Sequence, residues 1–204
     1  MFSKKIAIER FRLSTNQCIK IEKYIQLINH YNNHTNIVGK STLADPWKSH
    51  VLDSLQICKF IPDKNCSILD MGTGAGIPGL ILAMCNFSNI YMVDSNSKKI
   101  NFVKSVCSKL NIKATIYKSR IEKLASMKFD FLVSRALTNL NKLLFYSQQF
   151  LNNNTVLVFL KGKTINDELV LAEKNWSFQY SLKKSISDER GSVIIIKNLC
   201  KINA

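Results

Sequence analysis

The hydrophobic positions divide the chain into two parts with different periodicity. In residues 1–64 they recur every three or four positions, which is typical of amphipathic helices. One such helix is marked by Ile21, Tyr24, Ile25 and Ile28. Another is expected to begin near Asp45-Pro46, where an acidic N-cap precedes a proline in the first turn. We therefore predict a helical extension over residues 1–64.

From residue 65 onward, short apolar runs alternate with longer amphipathic segments. Seven runs are predicted to be strands, at Ser67–Met71, Ile90–Val93, Ala114–Tyr117, Phe129–Val133, Thr155–Leu160, Phe178–Lys183 and Val193–Lys197. Helices are expected between the first five strands and after the fifth, which favours a parallel sheet covered on both faces. The short gap between the last two strands favours a hairpin. Residues 65–204 are thus predicted to form an α/β, Rossmann-like domain with a mostly parallel seven-stranded sheet.

A glycine-rich turn joins the first predicted strand to a short apolar helix. The segment from Ile68 to Gly79 reads Ile-Leu-Asp-Met-Gly-Thr-Gly-Ala-Gly-Ile-Pro-Gly, and Leu80–Met84 follows it. Glycine permits unusual φ values and close approach of the backbone to a ligand. Because open α/β sheets bind ligands at the carboxyl ends of their strands, this turn predicts a cofactor site.

Two classes of cofactor compete for this turn. Residues Gly74 to Gly79 match G-x-G-x-x-G, the dinucleotide fingerprint, and leave an NAD-binding oxidoreductase as an alternative. Asp70 argues against it, because a carboxylate just before the first glycine would sit poorly beside a pyrophosphate. The same carboxylate suits S-adenosylmethionine, which carries a cationic sulfonium and an ammonium group. The spacing D-x-G-x-G-x-G is the usual first motif of class I methyltransferases.

Asp94 is a candidate cofactor ligand at the end of the second predicted strand. A carboxylate in this position can accept hydrogen bonds from both ribose hydroxyl groups, in either cofactor family. The alternative interpretation is a helix N-cap for the segment that begins near Ser97.

The composition favours an anionic partner and argues against a metal-binding protein and against a secreted or membrane protein. The 29 Lys and Arg residues exceed the 14 Asp and Glu residues, which gives a net charge of +15 and favours a nucleic acid, although a bias toward Lys, Asn and Ile is an alternative cause. No cysteine or histidine has zinc spacing, so no metal is expected. Neither a signal peptide nor an apolar run near the roughly 18 residues of a membrane span is found, so we expect no membrane and a cytoplasmic location.

Several further segments, taken with the turn, resemble the RsmG (GidB) family of bacterial 16S ribosomal RNA guanine-N7 methyltransferases. They are His50-Val51-Leu52-Asp53-Ser54, Val93-Asp94-Ser95, Ser119-Arg120-Ile121-Glu122, Ser134-Arg135-Ala136, Leu160-Lys161-Gly162 and Glu189-Arg190. The resemblance implies a class I S-adenosylmethionine-dependent methyltransferase fold with an N-terminal helical extension. It also implies methyl transfer to N7 of guanine 527 in 16S ribosomal RNA. A methyltransferase acting on another RNA or on a protein is the alternative.

The resemblance also implies cofactor contacts at Gly72, Ile77, Ile121, Glu122 and Arg135. For Glu122, a solvated helix residue is the alternative interpretation. Guanine N7 has an in-plane lone pair and no proton, so catalysis needs alignment and favourable electrostatics rather than a general base. Arg135 is accordingly the catalytic candidate in a positioning role, with phosphate, the guanine O6 or the cofactor carboxylate as its possible partners.

Four residues are candidate contacts to the RNA. His50 and Asp53 share one helix face by their i, i+3 spacing, either at the cofactor mouth or in a packing cluster between the extension and the sheet. Lys161 and Lys163 follow the fifth strand, either as a phosphate clamp or as a solvated lysine pair. The expected partner is 16S ribosomal RNA or the small ribosomal subunit, and the expected oligomeric state is a monomer.

Overall fold

The structure is a computed structural model and describes residues 2–202. Its first part is helical, as predicted. The elements are α1 (Phe2–Phe11), α2 (Thr15–Asn32), a 3₁₀ turn (Lys40–Leu43) and a continuous helical segment made of a π-helical turn (Trp47–Leu52), α3 (Asp53–Leu55) and a 3₁₀ helix (Gln56–Phe60).

Local capping explains where these helices begin. Ser14 and Gln17 form a reciprocal capping box at the start of α2, which satisfies two backbone N–H groups that the helix leaves free. The predicted cap at Asp45 is also present, because its Oδ1 accepts a hydrogen bond from the backbone N–H of Lys48 at 3.0 Å. The four apolar residues that predicted α2 are all buried.

The second part contains all seven predicted strands. They are β1 (Ser67–Met71), β2 (Asn89–Asp94), β3 (Thr115–Lys118), β4 (Phe131–Arg135), β5 (Val156–Lys161), β6 (Trp176–Lys184) and β7 (Ser192–Lys201). They form one sheet in the order β3-β2-β1-β4-β5-β7-β6. The first five strands are parallel, and β7 lies antiparallel between β5 and β6. The hairpin is therefore confirmed, with its second strand inserted next to β5.

Four helices connect the strands, one fewer than predicted. They are α4 (Gly79–Met84), α5 (Ser97–Leu110), α6 (Leu140–Ser147) and α7 (Ile165–Ala172). The predicted helix between β3 and β4 is wrong, because that connection contains only a 3₁₀ turn at Ile121–Lys123. Its apolar residues Ile121, Leu124 and Phe129 pack individually into the core below the sheet, which covers this part of the face without a helix.

The central strands are buried on both faces, the edge strands β3 and β6 are largely exposed, and each face of the sheet has its own apolar core. Along β1, Ile68 belongs to one core and Leu69 to the other, and Val158 and Phe159 divide in the same way along β5. One core includes α6 and α7. The other includes α4, α5 and the helical extension, so residues of the extension pack against the sheet through a shared core.

The chain reverses its direction of growth across the sheet at β1. From β1 the sheet extends through β2 to β3 on one side, and through β4 to β5 on the other. The carboxyl ends of β1 and β4 therefore border a crevice, which is where open α/β sheets bind their ligands.

Candidate active site

The glycine turn leaves β1 in a conformation that requires glycine. Gly72, Gly74 and Gly76 have φ angles of +70°, +58° and +89°. The N–H groups of Gly72 and Thr73 donate to the carbonyl of Val93 at 2.9 and 3.0 Å, so the turn is fixed to the end of β2. L-residues with a Cβ are strained at such φ angles, which explains the alternating glycines.

Asp70 is fully buried beneath this turn and holds it together. Its Oδ2 accepts hydrogen bonds from Thr73 Oγ1 at 2.6 Å and from the N–H of Gly79 at 2.8 Å. A Cβ at Gly79 would lie 2.8 Å from the same oxygen, so this position also needs glycine. Burial raises the pKa of Asp70 to about 7, and Oδ1 is buried without a hydrogen-bond partner. Because Oδ1 of Asp70 has no partner, it is available to a cationic ligand that binds nearby.

Asp94 ends β2 beside the turn. Its Oδ2 accepts from the N–H of Gly74 at 2.9 Å, and its Oδ1 accepts from the N–H of Asn96 at 2.8 Å. The N-cap interpretation of Asp94 is wrong, because Asn96 caps α5 by accepting from the N–H groups of Lys98 and Lys99. Each carboxylate oxygen of Asp94 keeps a further lone pair that can accept a ribose hydroxyl.

A cavity of about 120 Å³ opens between the turn and the 3₁₀ turn after β3. Its lining includes Gly72, Asp94, Ser119, Ile121, Glu122 and Leu137. Glu122 is exposed, and hydrogen bonding from its own backbone N–H lowers its pKa, so it is ionised. Pockets for whole ligands measure about 300–1,000 Å³, so this cavity fits part of a nucleoside cofactor. Ile77 lies elsewhere, buried in the core beneath the turn.

The end of β4 is shaped by the segment Ser134-Arg135-Ala136. The buried Oγ of Ser134 donates to the carbonyl of Met71 at 2.8 Å, which fixes β4 to the end of β1. Ala136 has a φ of +52°, a left-handed conformation that costs an L-residue roughly 1–2 kcal/mol. This bend leads from Arg135 to Leu137, whose side chain covers Gly72: a Cβ at Gly72 would lie 2.5 Å from Leu137 Cδ1.

Arg135 is held by three residues of the helical extension. Its Nη1 donates to the carbonyl of Ser49 at 2.6 Å and lies 3.2 Å from Asp53 Oδ2, and its Nη2 is 3.2 Å from His50 Nδ1. The side chain of Arg135 remains 21% exposed. The guanidinium is thus fixed in orientation while part of it stays accessible.

His50 is fully buried, so the predicted contact between this residue and RNA is wrong for the structure described. Burial and the neighbouring Arg135 lower the pKa of His50 to about 4, which keeps the ring neutral. A guanidinium can only donate, so Nδ1 must accept and the ring proton must sit on Nε2. Nε2 is buried and has no partner among residues 2–202. His50 therefore accepts a hydrogen bond from Arg135 and helps to orient its guanidinium.

Asp53 connects three segments of the chain. Its Oδ2 faces Arg135, while its Oδ1 accepts from Ser187 Oγ at 2.6 Å and from Gln56 Nε2 at 3.0 Å. Ser187 belongs to the loop between β6 and β7, and Gln56 also accepts from the N–H of Ile186 in that loop at 3.1 Å. The cluster therefore joins the extension to the sheet, as the packing interpretation of His50 and Asp53 has it, whereas a position at the cofactor mouth stays a prediction.

Lys161 does not form the predicted phosphate clamp. Its Nζ lies 2.6 Å from Glu168 Oε2 and donates to the carbonyl of Thr138 at 2.9 Å, and its side chain is only 8% exposed. The solvated alternative is also wrong for this residue. Lys161 instead fixes the segment after β4 to α7, because its charge is satisfied by that ion pair. Lys163 is exposed and stays a candidate RNA contact.

Tyr24 is a site residue that the sequence identified only as core. Its side chain is fully buried, and its hydroxyl donates to the carbonyl of Ala75 at 2.8 Å. Helix α2 thereby contacts the glycine turn directly. The apolar periodicity of α2 predicted the burial of Tyr24, but it contains no signal for the partner of the hydroxyl.

A second and larger cavity, a cleft of about 550 Å³, lies on the other side of the end of β4. Its lining includes Lys48, Asp53, Arg135, Ala136, Asp188 and Arg190. Arg135 and Ala136 line this cleft, whereas the next residue, Leu137, lines the smaller cavity. The two cavities therefore border consecutive residues of one bend in the chain.

Two further properties of the described chain bear on its chemistry. Over residues 2–202, no grouping of His, Cys, Asp and Glu has the geometry of a metal site. Among the helices of the same residues, none combines the length and apolar character that crossing a membrane requires.

Comparison with solved structures identifies the fold. The ribosomal protein L11 methylase of Lactobacillus delbrueckii subsp. bulgaricus superposes with a TM-score of 0.59 at 19% identity, covering 72% of this chain and 76% of that one. The PH0226 protein of Pyrococcus horikoshii gives a TM-score of 0.61 at 10% identity, over 82% and 98% of the two chains. At such low identities these likenesses show the fold alone, which is the Rossmann-like fold of class I methyltransferases.

Comparison with characterised sequences is more specific. The chain is 33% identical to the ribosomal RNA small subunit methyltransferase G of Rickettsia prowazekii over 183 residues, 90% of this chain and 95% of that protein. It is 32% identical to the protein of the same name from Rhodospirillum rubrum over 177 residues, 87% and 88% of the two. The model of the GidB family, described as rRNA small subunit methyltransferase G, matches residues 17–195. The chain therefore belongs to the GidB family.

Proposed function

We propose that this chain transfers the methyl group of S-adenosylmethionine to N7 of a guanine in small-subunit ribosomal RNA, guanine 527 of 16S ribosomal RNA. The observation that carries the proposal is that two cavities border consecutive residues at the end of β4, Arg135 and Ala136 in one and Leu137 in the other. One cavity borders the glycine turn and Asp94, and the other borders cations at the surface. A methyl group bound on one side of the bend can meet a base bound on the other.

The residues around the smaller cavity fit S-adenosylmethionine, which supplies a methyl group on a cationic sulfonium. Asp94, Ile121 and Glu122 all line this cavity, which supports Asp94 as the acceptor of the ribose hydroxyls and the other two as flanking the adenine. Gly72 and Gly74 bring the backbone close to the ligand, with Ile77 supporting the turn from the core. The Oδ1 of Asp70, buried without a hydrogen-bond partner beneath the turn, is a candidate acceptor for the cationic end.

The ionisable groups around Arg135 suit a reaction without proton removal. His50 is neutral but has its Nδ1 committed to Arg135, and both oxygens of Asp53 already accept hydrogen bonds. Methylation of a ribose hydroxyl needs a base to take its proton, whereas N7 of guanine carries none. The cluster therefore supports N7 as the target, with Arg135 positioning the base or a phosphate.

The proposal is tested by transfer of labelled methyl to small-subunit RNA from cells lacking the activity, both naked and in ribosomal particles. The RNA is then reduced with borohydride and cleaved with aniline, which breaks the chain at 7-methylguanine. We expect one cleavage, at guanine 527. Label without cleavage would show that the enzyme methylates the RNA at an atom other than guanine N7. Absence of label from both substrates would contradict the proposal, and titration with NAD would then test the oxidoreductase alternative.

Arg135→Ala is expected to reduce methyl transfer by roughly 100-fold, the scale of misplacing a reacting group. The fall should appear in kcat, because the guanidinium orients the reactants in the bound complex. Arg10→Ala removes the same side chain from the exposed face of α1 and should leave the rate unchanged. A rate for Arg135→Ala near that of the unmodified protein, with the fold intact, would show that Arg135 has no role in the reaction.

A further inference from the structure

Three segments of the chain contribute most of the charged side chains that line the large cleft, and Thr42 and the end of β5 line the rest. Arg135 and Ala136 at the end of β4 form one side, and the helical segment that carries Lys48 and Asp53 forms another. The loop between β6 and β7 forms the third, with Ser185, Ser187, Asp188, Arg190 and Gly191, followed by Ser192 at the start of β7. The hydrogen bond from Ser187 to Asp53, and the ion pair from Asp53 to Arg135, fix this loop at the site.

Two carboxylates line the cleft, and they differ in what their oxygens already bind. Asp53 accepts hydrogen bonds at both oxygens. Asp188 accepts at Oδ1 only, from the N–H of Arg190 at 3.0 Å and from its Nε at 3.4 Å. Its Oδ2 has no hydrogen-bond partner within residues 2–202, and its side chain is 53% exposed. Asp188 therefore presents a free acceptor to whatever enters the cleft.

Asp188 also remains charged over the neutral pH range. Hydrogen bonding from the backbone N–H of Arg190, and then from its guanidinium, holds the pKa of Asp188 below its usual range. A carboxylate accepts hydrogen bonds but cannot donate them when ionised. The cleft thus selects for a ligand that brings a donor to this position, and a donor paired with a charged acceptor binds about twice as strongly as a neutral pair.

The chemistry of guanine supplies that donor on the required side. N7 lies on the imidazole side of the base, and the exocyclic 2-amino group lies on the opposite, pyrimidine side. If N7 faces the bend at Ala136, the 2-amino group points into the cleft, away from the smaller cavity. Adenine has no amino group at this position, so an acceptor here distinguishes the two purines.

We propose that Asp188 recognises the target guanine, with its Oδ2 accepting a hydrogen bond from the 2-amino group. This inference rests on the proposed function, since it requires a guanine whose N7 faces the cofactor. In this arrangement the β6–β7 loop selects the base, and the end of β4 aligns the reacting atoms.

The test replaces the target guanosine by inosine, which lacks only the 2-amino group and keeps N7. Small-subunit RNA is assembled by ligation with either nucleoside at the target position, in whichever form the enzyme methylates. The unmodified enzyme should prefer guanosine by about 10- to 100-fold in kcat/KM, mainly through KM. In Asp188→Ala this preference should fall toward one, because guanosine loses its contact and inosine has none to lose.

Two control variants separate recognition from loop structure. Asp188→Asn keeps an acceptor for the N–H of Arg190 but puts an NH2 donor in place of Oδ2, so it should lose the preference for guanosine while the loop keeps its bond to Arg190. Asp167→Ala makes the same change as Asp188→Ala on an exposed turn of α7 outside the cleft, and should keep the full preference. Asp188→Ala that slows both substrates equally would overturn the inference, as would an unmodified enzyme that methylates both equally. If guanosine itself is not methylated, the proposed function fails first.

Discussion

Asp70 and His50 are both fully buried titratable side chains, and burial moves their pKa values in opposite directions. The pKa of Asp70 rises to about 7 and that of His50 falls to about 4, because burial penalises the charged form of each. At neutral pH the site therefore contains a carboxyl group near its midpoint and a neutral imidazole. Each has one buried polar atom without a partner, Oδ1 in Asp70 and Nε2 in His50. A cofactor or substrate bound beside either residue could therefore change its pKa.

Asp70→Asn is expected to change the pH dependence of stability in a defined direction. Between the ordinary pKa near 4 and the folded pKa of about 7, the folded protein holds a proton that the unfolded chain has released. The free energy of unfolding contributed by Asp70 therefore falls as the pH rises through this window, by up to about 1.4 kcal/mol per pH unit. Asn has no such proton, so the variant should gain stability relative to the unmodified protein from pH 4 to pH 7.

Urea unfolding of both proteins at pH 5, 6, 7 and 8 measures this difference. His50 has an opposite dependence, since its lowered pKa costs stability as the pH falls from about 6.5 toward 4. It is present in both proteins and cancels in the comparison. The difference between variant and unmodified protein should rise up to pH 7 and level off above it. A difference that stays constant over the whole range would mean that Asp70 titrates at its ordinary pKa.

At the scale of elements, the glycine turn is held from three directions. Its N–H groups bond to β2, Asp70 of β1 bonds to Thr73 and Gly79, and Tyr24 of α2 bonds to Ala75. The first two are connections within the Rossmann-like sheet, but the third comes from the extension. Helix α2 is thus part of the candidate cofactor site as well as part of the core.

Tyr24→Phe removes one hydroxyl and leaves the buried ring in place. We expect it to weaken the binding of S-adenosylmethionine several-fold, because the turn loses its bond to α2 and the carbonyl of Ala75 loses its partner, at a cost of about 1–3 kcal/mol. Tyr31→Phe is the matched control on the same helix, since its hydroxyl faces Ser105 of α5 at 3.3 Å. Calorimetry should show weaker binding in Tyr24→Phe only, and equal affinities in both variants would contradict the role of α2.

The sequence predicted those elements whose residues are buried in a regular pattern. The central strands follow from apolar runs buried on both faces, and α2 follows from its helical stripe. The edge strands β3 and β6 were also predicted, although they are largely exposed. The predicted helix before β4 is absent because Ile121, Leu124 and Phe129 pack singly. The pattern of neighbouring residues does not show that such side chains pack on a face of the sheet together with elements distant in the sequence.

The candidate site was predictable as a set of motifs but not as a set of contacts. Arg135 and Asp53 stood in separate motifs, and their ion pair joins positions 82 residues apart. The sequence predicted Lys161 to be a free cation, whereas in the fold it contacts Glu168 and the carbonyl of Thr138. Asp188 gave no signal at all, because its importance depends on the cleft that the β6–β7 loop completes.

At the scale of the whole molecule, the net charge of +15 is spread over more than the candidate site. Lys48 and Lys163 are exposed at the edge of the sheet where the parallel strands end. Lys109 and Lys113 are equally exposed near the end of α5 and before β3, at the edge where the strands begin. Composition cannot distinguish these two groups, but the proposed function can, because RNA must approach the edge that carries the cleft.

The double variant Lys48→Gln, Lys163→Gln is expected to weaken RNA binding and to make it less sensitive to salt. Each lysine that contacts a phosphate releases about one counterion, so the slope of log K against log salt should become shallower by about 1 to 2. Lys109→Gln, Lys113→Gln removes the same charge from the opposite edge and should leave the slope nearly unchanged. Equal changes in the two variants, measured by titration over a range of salt concentrations, would mean that RNA senses only the total charge. A change confined to the first variant would locate the RNA at the edge that carries both Arg135 and Asp188.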